Sequence, residues 1–422
     1  MKNKKNLVVI FCLVSLFVLL PTILKKSNFT YTKSIDLLNL RSSDYPHFDP
    51  FIIDDNGGGN FTWAEAVLQP WCSGSGTEGD PYIIEEIFVD GRDETSCIEI
   101  WNSTAYVKIQ NCSVTKAVYF GNMKYAGIKL KNTCNVQLIE NDIYYNYGHA
   151  IVLYNSNNTI LSDNEIRHSG EDWFSYHNAI VFYNSHNSLI TENIVYYNAY
   201  DGFHITKCEN ITFIDNNIST NGYYGVELIS CKNFIITETE MRGNWLGIGL
   251  FNSSYNNISH NNIDSIDVGI SCEESSNNNT ILGNTVESST SGELELIDSI
   301  GIWLISCDGN NIQQNDISDE FEAGLFCYLS DYNTIVENSI SDSTIYGIGL
   351  RESNYNNVSR NILTDNEICI EEISCVGNII EDNICRESGG SISGFSLPLL
   401  ILFVSLSTST LLLVKIRRRK QN

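Results

Sequence analysis

Eleven asparagines, at 135, 158, 187, 210, 233, 256, 279, 310, 333, 356 and 378, follow one another at steps of 23, 29, 23, 23, 23, 23, 31, 23, 23 and 22. A fixed period of this size is the mark of a solenoid, in which each repeat is one coil and buries its core only against its neighbours. An amide carries both donor and acceptor, so asparagines stacked at the strand spacing of about 4.8 Å can bond from coil to coil.

Two motifs travel with the ladder. Before it stands Gly-Ile-x-Leu or a close variant, at Gly127, Gly225, Gly247, Gly301 and Gly347. After it stands Asn-x-Ile or a variant, at Asn141, Asn164, Asn193, Asn216, Asn261, Asn284, Asn315, Asn338, Asn361 and Asn383. Both alternate apolar and polar residues with period two, a strand pattern, and the Asn, Ser, Gly and Asp between them are turn formers. The offset from Gly to the ladder is eight at Gly225 and nine at Gly247. A bulge or two offset half-ladders would each account for the shift.

The residues outside the repeats divide the chain. Lys2, Lys4 and Lys5 precede an apolar run, so residues 1–26 read as a signal peptide or signal anchor. Residues 27–60 read as a linker, 61–110 as an N-terminal cap and first coil, and 111–390 as the solenoid proper. Residues 391–396 form a short linker or sorting motif, 397–414 an apolar transmembrane helix and 415–422 a basic cytoplasmic tail. The positive-inside rule then places the solenoid outside the cell, held to the membrane by the C-terminal helix. With 51 acidic against 25 basic residues, nucleic acid is excluded as a partner.

Thirteen cysteines are present and Cys12 lies in the signal segment. Cys208 and Cys231, 23 apart at equivalent positions, have a spacing compatible with a disulfide between coils. Cys272 and Cys327 replace the Leu of the first motif and are expected to face inward.

Three repeats are long, and each insertion falls between Asn-x-Ile and Gly-Ile-x-Leu, so all three are expected on one side of the solenoid. Beside them, aligned positions gather chemistry-bearing residues. His149, Asn178, Asp201 and Tyr224 stand immediately before the Gly position, and His177, Tyr200, Tyr223 and Trp245 one residue earlier. The outward position of the strand brings His204 next to Glu227. Tyr200, Asp201, His177, His204 and Glu227 are therefore the candidates for proton transfer. Trp173, Tyr176, His149, Tyr223, Tyr224 and Trp245 are the candidates for ligand binding through aromatic faces and hydrogen bonds.

The repeats resemble right-handed parallel β-helix proteins of the NosD-like and carbohydrate-binding or sugar-hydrolase group, over about residues 60 to 390. The fold this implies is an all-β right-handed parallel β-helix of about twelve coils. The function it implies is a surface component that binds an extracellular glycan or serves structurally. The alternatives are a polysaccharide lyase, epimerase or glycoside hydrolase, and a NosD-like metal-binding protein. Mannuronan epimerases carry Tyr-Gly-Phe-Asp-Pro-His; Tyr200-Asp201-Gly202-Phe203-His204 has similar residue types in another order and lacks the Pro. Under that resemblance Tyr200 or His204 acts at the sugar C5, Asp201 orients, and Lys207 or a bound Ca²⁺ neutralises a uronate. Calcium held by carboxylates and Asn carbonyls is the cation expected of so acidic a surface, although no EF-hand-like loop is present and no metal ligand is assigned. The stretch Ser391 to Ser396, followed by apolar residues and arginines, resembles archaeal surface-sorting tails.

Overall fold

A computed structural model describes residues 45–118, 125–170, 177–289 and 299–386. The signal segment, the C-terminal apolar helix and tail, and the inserted Trp173 and Tyr176 lie outside the described residues. Among the described residues no helix is long and apolar enough to cross a membrane.

The repeats wind into a right-handed parallel β-helix of about twelve coils. One wall is a 14-stranded sheet running from Cys72–Ser73 to Ile379–Glu381. Its pairings are parallel apart from the first, in which Cys72–Ser73 runs antiparallel to Tyr82–Glu85. The Gly-Ile-x-Leu and Asn-x-Ile strands form two further faces, which join where the 12-residue strands Glu240–Phe251 and Asn262–Glu273 run through both. The ladder between those two strands is irregular around Asn244, and Gly243 there adopts φ 62°. The period-two pattern is satisfied in the coils up to Leu363: Ile, Val, Leu and Phe turn inward into one continuous core.

Regular structure begins earlier than the composition implies. Phe51–Asp54, inside the segment read as a linker, pairs in register with Ile98–Trp101. Trp71 stacks on Phe51 at 4.3 Å, and Trp63, in the short helix Trp63–Ala66, stacks on Tyr82 at 4.3 Å. These rings close the N-terminal end, which would otherwise present apolar core and open strand edges.

The asparagine column resolves into two half-ladders. Asn158 Nδ2 donates to Asn135 Oδ1, Asn210 to Asn187 and Asn233 to Asn210 on an exposed corner. Each of these residues has φ between 53° and 60°, a left-handed conformation that Asn tolerates better than most residues. From Asn256 to Asn356 the asparagines stand one place further along and are buried, with Asn256 Nδ2 donating to Asn279 Oδ1 at 3.0 Å. The vacated left-handed corner is then occupied by Tyr255, Asn278, Gly309, Tyr332, Tyr355 and Gly377. The Asn-x-Ile asparagines form a further buried ladder, interrupted by Thr239 and resuming as Asn261 Nδ2 donates to Asn284 Oδ1 at 2.9 Å.

At the Gly position of Gly-Ile-x-Leu a small residue is favoured by proximity rather than by φ, and at Gly301 the approach is close. A Cβ on Gly301 would lie 2.5 Å from both the Gly324 carbonyl oxygen and Ile317 Cγ2. Gly127, Ala150, Ala179, Gly202 and Gly225 continue the same small-residue column.

The cysteines differ from expectation in one respect. Cys208 and Cys231 are both free and buried, their thiols donating to the Thr206 and Ile229 carbonyls. Cys272 and Cys327 face inward and are fully buried, as their motif position requires. Cys369 and Cys385 form a disulfide that clips the last described coil.

Candidate functional site

Phe203–Thr206 sends Phe203 and Ile205 into the core and His204 and Thr206 outward. The next coil sends Val226 and Leu228 inward and Glu227 outward. Parallel register sets His204 directly against Glu227, and His204 Nδ1 lies 2.6 Å from Glu227 Oε2.

Asp201 reaches the same point from the preceding turn. A column of acceptors runs up that turn: the Asn178 N–H donates to His149 Nδ1, the Asp201 N–H to Asn178 Oδ1, and the Tyr224 N–H to Asp201 Oδ1 at 3.0 Å. This fixes the Asp201 carboxylate through one oxygen. The other, Oδ2, faces His204 Nδ1 at 3.4 Å and accepts no hydrogen bond, although Asp201 is wholly buried. Across the imidazole, Nε2 lies 3.3 Å from Thr206 Oγ1.

Burial pushes the Asp201 carboxyl up to about 7, with the nearby Glu227 carboxylate adding to the rise. Burial works the other way on His204, favouring the neutral ring. The Glu227 and Asp201 carboxylates outweigh it and hold the imidazole up to about 10. At neutral pH the ring is thus a cation clamped between two carboxyl groups.

The cluster is a polar group between two apolar packings. On one side Ala126, Val152 and Val181 form a small buried cluster. On the other, Tyr224, Leu246, Phe251 and Val268 pack together, flanked by Tyr223, Trp245 and Trp303. Tyr200 stacks on Tyr223 at 5.0 Å and 19°.

Several expectations are corrected here. Tyr224 is only 3% exposed and its ring lies over Gly249, so it packs rather than offering a face to a ligand. His149 and His177 are buried, their ring centroids 5.2 Å apart, and stand apart from the three-residue cluster. Lys207 donates to the Tyr183 hydroxyl at 3.1 Å and lies over that ring rather than beside His204. Trp245 is half-buried and its indole N–H donates to Asp267.

Sequence reasoning missed Thr206 as a partner of His204. It also missed an exposed stack of Tyr145, His168 and Tyr197, with centroids 4.9 and 5.6 Å apart. The signal was present: each stands four residues after an Asn of the Asn-x-Ile ladder.

The family described as "Periplasmic copper-binding protein (NosD)" matches residues 107–298 and again 223–382. The chain belongs to the NosD family. No curated protein matches this NosD-family chain significantly. Among solved structures, a double mutant of the periplasmic alginate epimerase AlgG is similar at 11% identity and TM-score 0.54, covering 72% of this chain and 85% of its own. A single mutant of the same enzyme gives 12% identity and TM-score 0.50, covering 80% and 84%. At that identity the likeness is one of fold.

The family description raises copper, and the donor set bears on its Cu(I) form. One imidazole nitrogen and two carboxylate oxygens converge, whereas Cu(I) selects thiolate and thioether. Cys208, Cys231 and Met241 are sealed in the core. The cluster does not fit a Cu(I) centre.

Proposed function

We propose that the protein is an extracytoplasmic, surface-anchored β-helix that binds a carbohydrate at the Asp201–His204–Glu227 cluster. The observation that carries this reading is the convergence of Asp201, His204 and Glu227 beside the stacked Tyr200 and Tyr223, since a few convergent polar groups next to aromatic rings is the composition of a small-ligand site. A sugar ring matches it, since it offers apolar C–H faces to Tyr200 and Tyr223 and hydroxyls to Glu227 and His204. The imidazolium is flanked by two carboxyl groups, so the cluster carries no net positive charge. Neutral sugars therefore fit better than uronates. Anchoring rests on the apolar segment 397–414 and the basic tail beyond it.

Calorimetry of the purified full chain against neutral and uronate oligosaccharides tests the reading, beside Tyr223→Ala and Glu227→Gln. Saturable binding of a neutral oligosaccharide, weakened in both variants with the fold intact, is expected. Equal affinity in the variants would place the ligand elsewhere.

A second reading, a sugar-acting enzyme, is favoured by one observation. Asp201, wholly buried so that its carboxyl is pushed up, and Glu227, partly exposed, supply two carboxyl groups of different environment, the arrangement acid–base chemistry uses. New reducing or unsaturated ends, made by the parent and not by Asp201→Asn, would establish it.

A further inference from the structure

We propose that Asp201, His204 and Glu227 form a three-ligand site for a divalent transition ion of the zinc class, with a fourth position open to solvent. The donors are Asp201 Oδ2, His204 Nδ1 and Glu227 Oε2, which all lie within 4.8 Å of one another. Tetrahedral coordination with bonds of about 2.1 Å sets donors about 3.4 Å apart. Nδ1 and Asp201 Oδ2 already stand at 3.4 Å. Nδ1 and Glu227 Oε2, at 2.6 Å, need to open by under about 1 Å, within the reach of glutamate side-chain rotation.

A second, independent observation points to a ligand. Asp201 Oδ2 is buried, aimed into the cluster and accepts no hydrogen bond, while Oδ1 is pinned by the Tyr224 N–H. Its ion-pair partner is the His204 ring, at 3.4 Å, so the oxygen is oriented by the backbone toward the point where a metal would replace the Nδ1 proton. Supporting groups are also in place. A metal on Nδ1 displaces that nitrogen's proton to solvent and leaves the ring's remaining proton on Nε2, where the N–H can donate a hydrogen bond to Thr206 Oγ1 at 3.3 Å. His204 and Glu227 retain 18% and 10% side-chain exposure, so the open position has a path to solvent. One nitrogen and two oxygens suit a borderline divalent ion, not the Cu(I) that sulfur would select. The site goes beyond glycan binding and is tested without sugar, so either can fail while the other stands.

The probe is Co²⁺, titrated into the chelator-stripped full-length chain and followed by visible absorption, with Zn²⁺ competition and metal analysis. One Co²⁺ per chain, with the strong absorption of a low-coordinate site and displacement by Zn²⁺, is expected. Glu227→Gln and Asp201→Asn should each weaken uptake at least about tenfold at unchanged circular dichroism. Glu337→Gln, which alters a surface ion pair with Arg360, should bind as the parent does. If Asp201→Asn misfolds, Glu227→Gln alone decides. No uptake, undiminished uptake in Glu227→Gln, or uptake of Cu(I) with none of Co²⁺ or Zn²⁺ would overturn the proposal.

Discussion

Asn256 lies against Phe234 and not against Asn233: the Phe234 N–H donates to Asn256 Oδ1 at 3.0 Å, 22 residues away. The asparagine column steps 23 residues at this point while the coil itself advances by 22. An exposed ladder therefore ends and a buried one begins.

The two ladders should differ in energetic weight. Asn284→Ala removes a buried amide that takes the Asn261 N–H and side chain and donates to the Ile258 carbonyl. Unpaired buried partners give a loss of about 1–3 kcal/mol. Asn210→Gly keeps the left-handed corner and removes only exposed bonds, so a loss below about 1 kcal/mol is expected. Urea midpoints of the two variants, run side by side, check the contrast.

Gly301→Ala should destabilise by overpacking, about 1–3 kcal/mol, because its Cβ meets a backbone carbonyl that cannot rotate away. Thermal unfolding of this variant against the parent measures the loss. A Tm equal to the parent's would show that the coils can separate locally.

Burial pushes the thiols of Cys72, Cys112 and Cys307 up to about 12. At pH 8 they are almost wholly protonated and enclosed, and the thiolate is the reactive form. Native protein treated with a thiol reagent should leave these three unlabelled, and denaturant should release them; mass-spectrometric mapping of the label distinguishes them from the less buried Cys134.

The last described coil is the least covered, with Ile379, Ile380 and Ile384 at 55%, 38% and 44% exposure. Its disulfide, Cys369–Cys385, holds what packing does not. Reduction, or Cys385→Ser, should cost hydrogen-exchange protection in residues 368–386 and leave the coils around Phe203 unchanged, since solenoid coils contact only their neighbours. Exchange followed by mass spectrometry reads both regions at once.

Architecture was legible because both motifs repeat. Gly-Ile-x-Leu and Asn-x-Ile fixed strand, period and inward face, and the aligned positions brought His204 to Glu227 correctly. The half-ladders were left open by the spacing, since a one-residue shift between asparagines does not tell a bulge from a change of column. Exposure was less legible still. Asp201, in a turn, and Tyr224, at the start of a strand, look outward in the sequence, yet the ring and the carboxylate fold back against neighbouring coils. Thr206 escaped notice because a threonine on the outward side of a strand is ordinary until its hydroxyl meets an imidazole nitrogen.

The small-residue column of Gly127, Ala150, Ala179, Gly202 and Gly225 has a geometric corollary. Every coil meets the next at one repeated close approach, so coil number is a length setting, at about 4.8 Å for each coil. Removing residues 324–346 would bring Gly347 to the place of Gly324 and shorten the rod by one increment, with equivalent strand positions meeting across the join. A molecule built this way can change its reach without redesigning its interior.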